Sequence, residues 1–181
     1  TDGRGMKVPL HPTVKKVHLK LDSPTIEDQR ADGDRLRDKL REKRIEPNLD
    51  VLRALPVLLR ENDYDLTAVT AEGRLIAVEA GDATDRNYGV AFDIGTTTVV
   101  GFLIDMTTGR EAAVAARTNP QVAFGDDVVS RIRYAGEEPK GLKSLQRRIV
   151  DCMNEIISEC CKKAKVRRRD VYEITVVGNT T

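Results

Sequence analysis

The chain has 181 residues, enough for one domain or two small ones. With 40% hydrophobic and 33% charged residues it reads as globular, and 4% aromatics without Trp give a core of Val, Leu, Ile and Ala and argue against an aromatic platform for single-stranded nucleic acid. Thirty Lys and Arg against 29 Asp and Glu leave +1, so there is no general pull toward nucleic acid or an anionic membrane, and any anion site must be local.

No apolar run approaches the ~20 residues of a membrane helix, and no signal-peptide h-region opens the chain, so a cytoplasmic protein is expected. Thr1 is not an initiator Met and Thr181 ends a strand-like run; the expectation is a piece of a longer polypeptide. Cys152, Cys160 and Cys161 share one helical pattern, without C-x-x-C and far from His11 and His18. They read as small packing residues rather than as ligands of a metal or cluster.

In chain order, residues 1–13 are polar and rich in Gly and Pro and read as a linker. Val17, Leu19 and Leu21 alternate with polar residues as a strand does. Ser23-Pro24 is a helix-start signal, predicting a charged helix to about Arg44. Asn48 opens a second helix that Pro56 is expected to interrupt or restart, and residues 66–70 and 74–78 flank Ala71-Glu72-Gly73 as a hairpin. Residues 14–81 thus form a small α+β unit. Residues 82–87 are turn-prone and read as a linker.

Beyond it, strands are expected over 88–93, 98–105 and 111–117, with Asn119-Pro120 breaking the last. A short helix follows over 125–134. From 140 to 165 Leu142, Leu145, Ile149, Met153, Ile156, Ile157, Cys160 and Ala164 keep a 3.6-residue period, the strongest helix signal in the chain. Arg167, Arg168 and Arg169 suit that helix's negative end, and a strand over 172–177 runs into Gly178-Asn179-Thr180-Thr181.

The segment that carries chemistry is Phe92-Asp93-Ile94-Gly95-Thr96-Thr97-Thr98. An apolar strand delivers a carboxylate at its end, a glycine turn lined by hydroxyls follows, and a second apolar strand leaves. Gly95 lets backbone approach phosphate oxygens, and the turn's amides can form an anion-binding nest. Asp93 can hold Mg²⁺ through waters, since that ion keeps several waters while binding one or two carboxylates and phosphate oxygens. The same residues also fit an ordinary hairpin in which Asp and Thr cap a glycine turn. Asp127 fits either a catalytic carboxylate or a partner of a helix end, and Asn179 and Thr180 fit either a ligand site at a strand end or a turn.

The Asp93-x-Gly95-Thr96-Thr97 hairpin resembles the first phosphate motif of the actin, sugar-kinase and heat-shock ATPase superfamily. With Asn119-Pro120-Gln121, Gly125-Asp126-Asp127-Val128-Val129-Ser130-Arg131-Ile132 and Val176-Val177-Gly178-Asn179-Thr180-Thr181, in that order, it is similar to the reductive activators of corrinoid proteins. Residues 14–80, including Ser23-Pro24-Thr25-Ile26-Glu27-Asp28-Gln29, resemble the middle domain of that family.

The resemblance implies an α/β fold: a ribonuclease-H-like first lobe of an actin-like ATPase domain over 88–181, truncated, behind a small α+β middle domain over 14–81. It implies an ATP-dependent activator that returns the Co(II) corrinoid of a partner protein to Co(I), fed by a separate electron donor through a two-iron two-sulfur cluster in an N-terminal domain outside this chain. Asp93 would serve Mg²⁺ and catalysis, Gly95, Thr96, Thr97 and Thr98 the phosphates of ATP, and Asp127, Asn179 and Thr180 would sit near the cleft. Neither nucleic acid nor membrane is an expected partner; a homodimer is. The isolated chain is expected to be inactive, because the second phosphate motif and adenosine site would lie beyond Thr181. The alternatives are another member of the superfamily, such as a radical dehydratase activator or a sugar kinase, and a non-catalytic scaffold for dimerisation or docking.

Overall fold

The structure, a computed structural model, describes residues 10–40 and 46–178. It divides into two compact units, Thr1–Asn87 and Tyr88–Thr181.

In the first unit β1 (Val14–Lys20), α1 (Asp32–Leu40), β2 (Glu46–Pro47), α2 (Leu49–Glu61), β3 (Asp65–Ala71) and β4 (Arg74–Ala80) follow in sequence. They build a sheet of order β1-β3-β4-β2, antiparallel except for the β2–β4 pair. Leu36 from α1 and Val51, Leu55 and Leu59 from α2 bury against Leu66, Ala68 and Leu75 of the sheet. Glu72 and Gly73, with φ of 49° and 75°, close the β3–β4 hairpin; two central residues at positive φ give the turn whose twist matches its strands.

Three expectations fail here for identifiable reasons. The helix expected from Ser23 begins only at Asp32, because residues 23–31 use their polar groups locally. The Asp28 N–H donates to Thr25 Oγ1, and the Asp28 carboxylate accepts from Arg30 Nε at 2.9 Å and from Arg35 Nη1 at 2.7 Å. Such side-chain bonds compete with helix. Pro56 does not interrupt α2, which runs unbroken from its Asn48 cap with Val51, Leu55 and Leu59 buried one turn apart. Packing of that stripe outweighs the bond a proline removes. The expected linker over 82–87 belongs to the first unit. Ala83 is fully buried with its N–H donating to Thr67 Oγ1, Asn87 Nδ2 donates to Val14 O, and Lys16 Nζ donates to the Arg86 carbonyl.

The second unit contains β5 (Tyr88–Ile94), β6 (Thr98–Asp105), β7 (Arg110–Thr118), a 3₁₀ turn (Pro120–Phe124), α3 (Val128–Glu137), α4 (Gly141–Ala164), a second 3₁₀ turn (Arg168–Asp170) and β8 (Val171–Gly178). Its sheet has the order β7-β6-β5-β8, with β5, β6 and β7 antiparallel and β8 parallel to β5. The long helix lies on β6 and β7. Cys152, Ile156, Ile157, Cys160 and Cys161 meet Val90, Phe92, Val99, Leu103 and Ala115 of the sheet. The three cysteines are free core residues, and burial pushes their thiols up.

The Arg167–Arg169 run does not cap α4. Lys165, at φ 57°, closes the helix by donating its N–H to carbonyls of the last turn, while Arg167 pairs with buried Asp170 and Arg168 reaches back to Asn154 and Ser158. Leu142 ends the helical seam 71% exposed, beyond the reach of the sheet.

Candidate functional site

Alternation along β5 buries Val90 and Phe92 and turns Asp93 outward, exposed. The strand is internal to its sheet, and Asp93 stands opposite Val100 of β6 on one side and Val177 of β8 on the other. Because β5 and β8 are parallel, both deliver their C-terminal ends to one edge, where Ile94 is in register with Gly178. Ligand sites of open α/β sheets gather at such edges. Asn179 and Thr180 lie outside the described residues.

Residues 95–97 link β5 to β6, and the Gly95 N–H donates to Thr98 O at 2.9 Å. A Cβ on Gly95 would lie 2.9 Å from that same oxygen, so the close turn demands glycine. Among the described residues, neither the Asp93 carboxylate nor the Thr96, Thr97 and Thr98 hydroxyls have a hydrogen-bond partner within the protein. These free groups fit a hydrated cation beside an anion: neutral donors line the turn and one carboxylate stands at its base. Among the described residues no cluster of three His, Cys, Asp or Glu offers a metal site of its own.

Behind the turn sit Asn119 and Arg131, two residues of the motif blocks that are not among the expected site residues. Asn119 is 1% exposed; its Nδ2 donates to Gly95 O at 2.8 Å, its N–H donates to Thr97 O at 2.7 Å, and its Oδ1 accepts from the Gln121 N–H, capping the 3₁₀ turn. Arg131, 8% exposed, donates from Nη2 to Thr96 O at 2.6 Å and from Nε to Gly125 O at 2.9 Å. Three successive carbonyls of the turn are therefore held. Asn119-Pro120 ends a strand and Arg131 lies on a short helix, both within blocks that carry the family resemblance, but no local pattern ties either to the hairpin.

Asp127 is the N-cap of α3: its Oδ1 accepts the Ser130 N–H at 2.7 Å, and that bond lowers its carboxyl below the ordinary value. It is exposed, and its connection to the hairpin runs through Arg131 on the first turn of the helix it caps. On the same side, the hairpin, the 3₁₀ turn, α3 and α4 enclose a cleft of about 360 Å³ lined by Ile94, Asn119, Val128, Arg131, Ile132 and Leu145 among others.

Residues 3–85 match the family model described as the RACo linker region, and residues 88–181 match the RACo middle region. The segment expected as a middle domain thus falls in the family's linker, and the segment expected as a first ATPase lobe is its middle region. The chain is 38% identical over 137 residues to the corrinoid activation enzyme RamQ of Eubacterium limosum, covering 75% of this chain and 23% of that protein. It is also similar, at 34% identity and a TM-score of 0.81, to the solved structure of a reductive activator for corrinoid,iron-sulfur protein, over 97% of this chain and 29% of that one. It spans less than a third of either relative. Matched along both units and similar to corrinoid activators in sequence and in structure, the chain belongs to the RACo family.

Proposed function

We propose that this chain is part of an ATP-dependent redox activator, which reduces the Co(II) corrinoid of a partner protein to Co(I) in the cytoplasm. One electron passes from a reduced two-iron two-sulfur centre, in a domain outside this chain and recharged by a separate donor, to cobalt. The names of the two relatives support the corrinoid partner. The nucleotide role rests on one observation: a D-x-G-T-T turn at the shared end of two parallel strands, its hydroxyls and carboxylate unpartnered among the described residues and its carbonyls tied down behind.

In this reading 88–181 is a ribonuclease-H-like lobe. The sheet order β7-β6-β5-β8, three antiparallel strands followed by helices and a parallel strand, supports it. Gly95 admits a phosphate to the backbone, Thr96, Thr97 and Thr98 donate to its oxygens, and Asp93 orients the water shell of Mg²⁺, whose charge offsets that of the phosphates. Asn179 and Thr180, which follow β8 in the sequence, would contribute to binding the same nucleotide. Asp127 would sit beside the cleft, with one oxygen committed to its helix. Neutral hydrogen bonds contribute on the order of 1 kcal/mol each in competition with water, so tight binding requires contacts from a second lobe outside this chain.

The test uses the full-length protein with its corrinoid partner, anaerobic and with a chemical reductant, followed by visible absorption of the cobalt. Co(I) should accumulate only with Mg-ATP present. Equal reduction with and without nucleotide would overturn the proposal.

A further inference from the structure

We infer that Asn119 and Arg131 are positioning residues for the phosphate turn: they aim its amides, and Arg131 sets a positive charge behind it. The inference rests on the nucleotide-binding reading above. Among the described residues no peptide is cis, and in a planar trans peptide the C=O of one residue and the N–H of the next point in opposite directions. Asn119 Nδ2 takes the carbonyl of Gly95, Arg131 Nη2 that of Thr96, and the Asn119 N–H that of Thr97. Each bond turns the following amide, of Thr96, Thr97 and Thr98 in succession, away from its donor. The amides of Thr96 and Thr97 therefore face away from the two side chains that hold the carbonyls before them, and successive amides turned outward in this way can receive an anion.

Arg131 does more than hold a carbonyl. Arg131 is a buried residue, 8% exposed, and among the described residues it forms no ion pair; both its side-chain bonds go to neutral carbonyls. Asp127, one turn earlier, feels its field without pairing with it. A buried cation without a counter-ion is costly unless something supplies negative charge. A polyphosphate across the turn does so, and the cation in turn polarises the Thr96 peptide toward that ligand. A P-loop places a lysine directly on phosphate; here the charge acts through a peptide.

The experiment measures Kd for Mg-ATP and for adenosine with the full-length protein, its Asp93→Ala variant, Arg131→Met and Arg131→Lys, checking each fold by circular dichroism and melting. Arg131→Met should weaken Mg-ATP about tenfold or more, roughly 1.4 kcal/mol, with adenosine affinity unchanged. Arg131→Lys, which keeps the charge and one donor, should recover part of that loss and serves if the Met variant does not fold. Unchanged ATP affinity, or equal losses for ATP and adenosine, would overturn the inference. If Asp93→Ala weakens Mg-ATP while a folded Arg131 variant does not, the positioning role alone fails; if neither does, the nucleotide reading fails with it.

Discussion

Gly101 on β6 lies directly beneath Ile156 on α4: a Cβ at Gly101 would come within 2.4 Å of Ile156 Cγ2 and 3.0 Å of Phe92 Cε1. Absence of a side chain here lets the long helix settle on the sheet whose edge carries the hairpin. Glycine within a strand marks this kind of close approach.

Gly101→Ala should therefore destabilise the second unit by about 1–3 kcal/mol, the usual cost of overpacking. Ile156→Ala removes the opposing methyl and opens space, so the double variant should be more stable than the sum of the single losses predicts. Thermal unfolding of the four proteins checks this; strict additivity would mean that the two residues do not press on each other.

The first unit has an acid-sensitive tie. Arg30, hydrogen-bonded to the Asp28 carboxylate, holds its carboxyl well below the usual carboxylate range, with Arg35 adding to the effect. A carboxyl whose folded pKa is depressed contributes stability above its unfolded pKa, ordinarily about 3.8, and loses it as pH falls toward the folded value. Asp28→Asn should lower the melting temperature at neutral pH and flatten its fall below about pH 4. Arg35→Met should melt several degrees lower as well, because its 2%-exposed side chain ties Asp28 to α1. A wild-type acid profile in Asp28→Asn would contradict this assignment.

Asp127 separates cap from catalyst. Asparagine accepts the Ser130 N–H as well as aspartate does, so Asp127→Asn should keep both stability and ATP turnover. Asp127→Ala should lower the melting temperature through loss of the cap. Loss of turnover in a fully folded Asp127→Asn would give the carboxylate a chemical role beyond the helix.

Elements with repeated signals were legible in the sequence. The seam through Leu145, Ile156 and Cys160 places α4, observed at Gly141–Ala164, and Ala71-Glu72-Gly73 marks a hairpin whose Glu72 and Gly73 adopt positive φ. Ser23-Pro24 misled because local signals cannot register Asp28 meeting Arg35, a side-chain bond that draws the segment into a loop. The hairpin from Asp93 to Thr98 was visible from its glycine and hydroxyls. Its support was not: Asn119 and Arg131 act on carbonyls 24 and 35 residues away, and such contacts leave no periodicity to read.

Asp93 and its turn are the proposed hold on the phosphates of Mg-ATP. ATP hydrolysis by the full-length protein, compared between wild type and Asp93→Ala with the fold verified by circular dichroism, tests that most directly, because Asp93 is an exposed strand-end side chain that leaves the core intact when truncated. Loss of a carboxylate that anchors the metal should cut turnover by about a hundredfold or more. Turnover equal to wild type would return Asp93 to an ordinary hairpin and contradict the site.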